Sequence, residues 1–161
     1  MNRKIALVIA TGLGAGYSPF APGTMGSIVA LTLFMMMRHL PPLIYVLICL
    51  LIFGVGIWAT KKAQNHFGTP DPGHVVIDEI VGQLLTFFWL PVASSQMETL
   101  IVLISGFLLF RFFDILKPQP VKWADQQKTA FGVMLDDVFA GIYANLGVRV
   151  LLGVLPYISF S

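Results

Sequence analysis

Apolar residues fall along this chain in long runs separated by short polar or Gly/Pro-rich breaks. The clearest run covers 43–60 and is apolar apart from Gly54 and Gly56 up to its closing Thr60; others cover 25–37, 75–90, 99–116 and 131–155. A membrane-crossing helix needs about 20 mostly apolar residues, with a tolerance of roughly 17–25. The run at 25–37 is short unless Thr24 and Arg38 extend it, and the run at 75–90 is ended by Pro91. A further stretch, 5–16, has 12 residues and is rich in glycine. It is too short to cross and predicts an interfacial or re-entrant segment. No cleavage-site pattern follows it, which argues against a removed signal peptide. The pattern predicts an all-α, polytopic membrane helical bundle of about five spans, with four as the competing count. One membrane-embedded domain over 1–161 is expected.

Composition agrees. Apolar residues make up 57% of the 161 residues and charged residues 11%, and the mean hydropathy is +0.82. A soluble domain of this length leaves too much surface exposed to hide that much apolar area. The same figures exclude a disordered chain, a collagenous repeat and a disulfide scaffold. A net charge of +2 points to no nucleic-acid partner, and the one cysteine, Cys49, forms no internal disulfide.

Lysine and arginine set the expected orientation. With the N-terminus inside, the inner side receives Arg3, Lys4, Lys61, Lys62, Arg111, Lys117, Lys122 and Lys128. Arg38 falls outside, Arg149 lies within the fifth span, and the link 91–98 has no basic residue. On this topology Asp71, Asp78, Glu79, Asp114, Asp125, Asp136 and Asp137 all gather at the cytoplasmic end, as does the Gly/Pro-rich stretch 12–27.

Carboxylates inside apolar runs are costly, and the adjacent pairs Asp78–Glu79 and Asp136–Asp137 repel each other when ionised. One account places them at the membrane surface as solvated residues favoured by helix dipoles. The better account is a divalent cation. Oxygen-rich, thiol-free and histidine-poor surroundings suit Mg²⁺ or Mn²⁺ rather than zinc. Gly82, Gly132 and Gly141 lie three or four residues from these acids, a spacing that lets helices approach closely in lipid. If the helix continues, Arg111, Asp114 and Lys117 stand at i, i+3 and i+6, so that two cations flank one acid. Pro118 biases Lys117 away from helix and is expected to end the span there. They read either as a cationic clamp for phosphate or as an Arg–Asp pair with a snorkelling lysine. In the stretch 12–27, Thr24 or Ser27 is expected to cap the first span, whose free amides would form an anion site. His74 lies in a turn before the third span, within reach of a substrate or simply exposed. Cys49 is mid-span and far from the acids, which excludes a cysteine phosphatase.

Four segments in order, Ser18-Pro-Phe-Ala-Pro-Gly-Thr-Met-Gly-Ser27, Val76-Ile-Asp-Glu-Ile-Val-Gly82, Phe110-Arg-Phe-Phe-Asp-Ile-Leu-Lys-Pro-Gln-Pro120 and Gly132-Val-Met-Leu-Asp-Asp-Val-Phe-Ala-Gly141, resemble the phosphatidylglycerophosphatase A family. The resemblance covers most of the chain. It implies a Mg²⁺-dependent lipid phosphatase of the bacterial inner membrane, acting on phosphatidylglycerophosphate in the step before cardiolipin. The expected metal ligands are Asp78, Glu79, Asp136 and Asp137, and the expected catalytic residues Asp78, Asp114, Asp137, Arg111 and Lys117. Substrate binding is expected from Pro22, Gly23, Thr24, Gly26 and Ser27 together with Arg111 and Lys117. Asp125, in a polar segment, is a poorer candidate. Direct attack by water and a phospho-aspartyl intermediate are both open to such a set. A CDP-alcohol phosphotransferase also uses Mg²⁺ and helical aspartates, but its Asp-Gly-x2-Ala-Arg signature is missing. A transporter would hold its acids near the bilayer midplane rather than at one interface.

Overall fold

Prolines open two of the helices, and left-handed residues close two. Pro22 and Pro42 stand in first helical turns, where no amide partner is lost. Gly68 (φ 71°) and Lys117 (φ 48°) end their helices in the left-handed conformation. In this computed structural model, which describes residues 3–90 and 95–154, the elements are α1 (Arg3–Ala10), a 3-10 turn at Ala15–Tyr17, α2 (Pro22–Met37), α3 (Pro42–Phe67), α4 (Ile77–Thr86), α5 (Gln96–Leu116), α6 (Val121–Gln126) and α7 (Ala130–Val154). Among the described residues there is no strand, so the all-α expectation holds.

The chain runs five times between two ends of one bundle. At one end the start of α2 meets the start of α4 and the end of α5, through Gly23, Glu79 and Arg111. At the other, Phe34 of α2 stacks on Phe87 just beyond α4 with ring centroids 4.5 Å apart. There too the Tyr45 hydroxyl of α3 donates to the Leu84 carbonyl at 2.7 Å, and Arg149 of α7 reaches the Trp89 carbonyl.

Three of the five passes, α3, α5 and α7, are long and apolar enough to cross a membrane. The other two, α2 and α4, are shorter, so helix length bears out three of the five expected spans among the described residues. The run 75–90 contains a helix of only 10 residues, about 15 Å long at 1.5 Å per residue. Helix α2, with 16 residues, reaches about 24 Å, short of a hydrocarbon core of about 30 Å. The composition of α4 has a different cause from lipid exposure. Ile77, Asp78, Ile80, Val81, Gly82, Gln83, Leu84 and Thr86 are buried, so α4 is apolar because it is the centre of the bundle. Pro91, expected to end this run, lies outside the described residues.

Helix α1 is the short N-terminal segment expected at 5–16. It buries Ala6 and Ala10 and leaves Ile5 and Val8 half exposed. The glycine-rich link after it folds back on the turn before α4. Gly12 adopts φ 55°, and a β-carbon there would stand 2.9 Å from Val76 Cγ2.

Candidate active site

Helix α4 starts at Ile77, so Asp78 and Glu79 occupy its first turn, where unbonded amides and the helix dipole favour negative charge. Asp136 and Asp137 lie near the start of α7. The two helices meet at glycines. A β-carbon on Gly82 would lie 2.9 Å from the Asp137 carbonyl carbon, and one on Gly141 would lie 3.0 Å from the Gly82 carbonyl carbon. No larger residue fits either position without moving backbone, and this approach is what brings the acids of α4 to those of α7. Gly132, expected to act alike, faces α6 and its following turn instead: a β-carbon there would stand 2.7 Å from the Ala124 carbonyl oxygen and from the Gln127 β-carbon.

Carboxylate oxygens of Asp78, Glu79 and Asp137 lie within 4.8 Å of one another. Asp78 is 8% exposed and Asp137 3%. Glu79 Oε2 and Asp137 Oδ1 are buried with no hydrogen-bond partner among the described residues. Three carboxylates so close repel, and burial strengthens the repulsion by lowering the local dielectric. A hard cation with oxygen ligands answers both the repulsion and the unpartnered oxygens, so the donor set fits Mg²⁺ or Mn²⁺.

Asp136 stands apart from this trio. Its Oδ2 accepts from Lys117 Nζ at 2.9 Å, and its Oδ1 accepts from the Asp137 amide at 3.0 Å. Lys117 also donates to Asp125 Oδ1 at 2.6 Å, and Lys128 Nζ lies 3.4 Å from the same oxygen. Burial disfavours the Lys117 charge, but the bonds and charges of Asp125 and Asp136 outweigh it and raise its pKa. At Asp125 burial again opposes the charge, and Lys117 and Lys128 outweigh it to lower the pKa.

This arrangement corrects the expected pair of cations flanking Asp114. Helix α5 stops at Leu116, and the left-handed turn at Lys117 carries its ammonium away to α6 and α7. Arg111 alone stays beside Asp114, with Nη1 2.8 Å from Asp114 Oδ2 and 4.0 Å from Glu79 Oε1.

The start of α2 completes the site, though not through its hydroxyls. Neither Thr24 nor Ser27 caps the helix: the N-cap is Ala21 at φ 44° with no side-chain bond. Ser27 is fully buried and donates back to the Gly23 carbonyl at 3.1 Å. A β-carbon at Gly23 would strike the Glu79 carboxylate and stand 3.0 Å from Arg111 Nη1. With Pro22 in the first turn, the Gly23 and Thr24 amides precede the first intrahelical bond, which runs from Met25 to Ala21. They lie beside the acids and Arg111, and Pro22 and Gly26 frame the turn. His74 is exposed, with Nδ1 3.1 Å from the Gly16 carbonyl and its ring between Tyr17 and Phe67. It fastens the glycine link to the turn before α4.

Sequence reasoning passed over two features. Asp125 partners Lys117, a relation hidden by the chain reversal between them. Gln83, four residues after Glu79 on α4, is fully buried with both amide atoms unpartnered among the described residues. Its i+4 spacing from Glu79 was the available signal.

A membrane bundle with buried acids and an arginine gathered at one end has the makings of an enzyme, and relatives define its class as phosphoric monoester hydrolase. The family model described as phosphatidylglycerophosphatase A matches residues 8–152, and the chain belongs to this family. It is 35% identical to phosphatidylglycerophosphatase A of Escherichia coli over 84% of this chain and 76% of that protein. It is 36% identical to the Haemophilus influenzae protein of the same name, over 91% of each. To a putative phosphatidylinositol-3-phosphatase of Bacteroides thetaiotaomicron it is 37% identical, over 91% of this chain and 92% of the other. No solved structure matches the chain significantly.

Proposed function

We propose that this protein hydrolyses phosphatidylglycerophosphate to phosphatidylglycerol and inorganic phosphate, in the phosphatidylglycerol branch that leads to cardiolipin. The reaction is placed at the cytoplasmic face of a bacterial inner membrane and depends on Mg²⁺, with Mn²⁺ as a substitute. The observation that carries this reading is the trio of buried Asp78 and Asp137 with half-buried Glu79, its Glu79 and Asp137 oxygens unpartnered among the described residues, set beside Arg111 and the first turn of α2. Two of the relatives bear the name of this activity.

In this reading Asp78, Glu79 and Asp137 hold the cation, which supplies Lewis-acid polarisation of the phosphomonoester and a more acidic attacking water. Arg111 offers its planar fork to the phosphoryl oxygens and offsets charge as the bond breaks. The Gly23 and Thr24 amides point unbonded N–H groups at the same anion. Asp114 orients Arg111. Lys117, held by Asp125 and Asp136, contributes positive charge at the edge and keeps Asp136 out of the trio.

The experiment is phosphate release by purified protein in mixed micelles with Mg²⁺, and again with excess EDTA. The substrates are phosphatidylglycerophosphate, phosphatidic acid and phosphatidylinositol 3-phosphate, the last because of the Bacteroides relative's name. Mg²⁺-dependent release, fastest from phosphatidylglycerophosphate, is expected. Faster release from phosphatidylinositol 3-phosphate would reassign the substrate, and full activity in EDTA would remove the metal.

Orientation follows from the basic residues. A reporter fused after Lys62 should report the cytoplasm and one fused after Ser161 the outside. A cytoplasmic C-terminus would contradict five alternating passes with the N-terminus inside.

A further inference from the structure

At the end of α4 the Leu84 and Leu85 carbonyls are bonded by Tyr45 and by the amides of Phe87 and Phe88, which leaves the carbonyls of Thr86, Phe88 and Trp89 to find partners outside the helix. In a membrane such groups must be satisfied by protein, each failure costing several kcal/mol. One pair of residues on α7 meets this need. Asn145 Nδ2 donates to the Thr86 and Phe88 carbonyls, each at 2.9 Å, with a longer 3.4 Å contact to Leu85. Arg149 Nη2 donates to the Trp89 carbonyl at 2.6 Å and to Phe88 at 3.2 Å, while its Nε donates to Asn145 Oδ1 at 2.8 Å. A cation at a helix C-terminus also meets the favourable end of the dipole.

These residues complete a ladder. Asp137, Gly141, Asn145 and Arg149 recur every four residues along α7, so they follow one side of that helix over about 18 Å. Asp137 meets the acids at the start of α4, Gly141 meets Gly82 in its middle, and Asn145 and Arg149 grip its end. A slip of α4 along α7 by one turn, about 5.4 Å, exceeds the 4.8 Å within which the carboxylates gather. We propose that Asn145 and Arg149 are positioning residues that lock α4 in register with α7 and so hold Asp78 and Glu79 against Asp137 from the far end of the helix. The role rests on the metal-site reading above. It explains an arginine inside an apolar span without giving it any contact with substrate.

The test measures Mn²⁺ binding to purified protein in nanodiscs by electron paramagnetic resonance, alongside kcat at saturating Mg²⁺. Arg149→Met and Asn145→Leu should weaken Mn²⁺ binding at least about 10-fold, the scale of lost outer-shell support, while kcat at saturating metal falls far less. Arg149→Lys keeps the charge with one compact donor and should recover part of the affinity. It also keeps the test alive should Arg149→Met fail to insert. Wild-type Mn²⁺ affinity in folded Arg149→Met and Asn145→Leu would overturn the positioning role while leaving the metal site standing. Equal losses of kcat and stability with unchanged Mn²⁺ affinity would overturn it too. If the unaltered protein binds no Mn²⁺, the metal site falls, and the positioning role with it.

Discussion

Asp78→Asn, Glu79→Gln and Asp137→Asn should each lower Mg²⁺-dependent phosphate release by at least about 100-fold, the upper range for a disturbed metal shell. Each change keeps size and removes one negative ligand from the trio that gathers within 4.8 Å. The same changes should leave the metal-free protein as stable or more so, measured by thermal unfolding in EDTA, because they relieve repulsion between buried charges. Loss of activity with retained or raised stability separates a working site from a structural one. Asp136→Asn should cost less, about 10-fold, because Asp136 acts through Lys117 rather than within the trio. Glu98→Gln, in the first turn of α5 at the far end of the bundle, should leave turnover unchanged. Turnover close to that of the unaltered protein in all three trio variants at limiting Mg²⁺ would contradict the site.

Arg111 carries the second large effect. Its Nη1 lies 2.8 Å from Asp114 and 4.0 Å from Glu79, so it is either a phosphate ligand or half of an internal ion pair. Arg111→Lys should lower kcat by about 100-fold or more with the protein inserted and folded, since a compact ammonium does not reproduce bidentate contact with a phosphoryl group. The double change Arg111→Met with Asp114→Leu removes both partners at once, which buried pairs often tolerate. That variant should fold and stay inactive. Recovery of wild-type phosphate release in it would mean that neither residue does chemistry. Thermal unfolding beside the phosphate assay decides between the two outcomes.

Much of this is legible in the amino-acid sequence. Three long apolar runs became α3, α5 and α7, and the Gly82 and Gly141 spacings became the contact between α4 and α7. The burial of the run 75–90 was not legible, because hydropathy cannot tell a helix wrapped by protein from one wrapped by lipid. Ile80, Val81 and Leu84 are apolar for the first reason. The i, i+3, i+6 spacing of Arg111, Asp114 and Lys117 holds only while the helix continues, and α5 stops at Leu116 as Pro118 leads one to expect. Pro118 disfavours helix at Lys117, and the left-handed turn there sends the ammonium to Asp125 and Asp136. Ser27 sits more than a turn too deep to cap α2, and its hydroxyl bonds back to the Gly23 carbonyl. The partners of Asn145 and Arg149 are backbone carbonyls, which no side-chain pattern announces.

The most direct measurement is a titration of the metal-stripped protein with Mn²⁺, followed by electron paramagnetic resonance, for the unaltered chain and for Asp137→Asn. The account predicts saturable binding that Mg²⁺ displaces and that Asp137→Asn weakens at least about 100-fold. Binding of equal strength in both proteins, or none in the unaltered one, would contradict the claim that Asp78, Glu79 and Asp137 form a cation site.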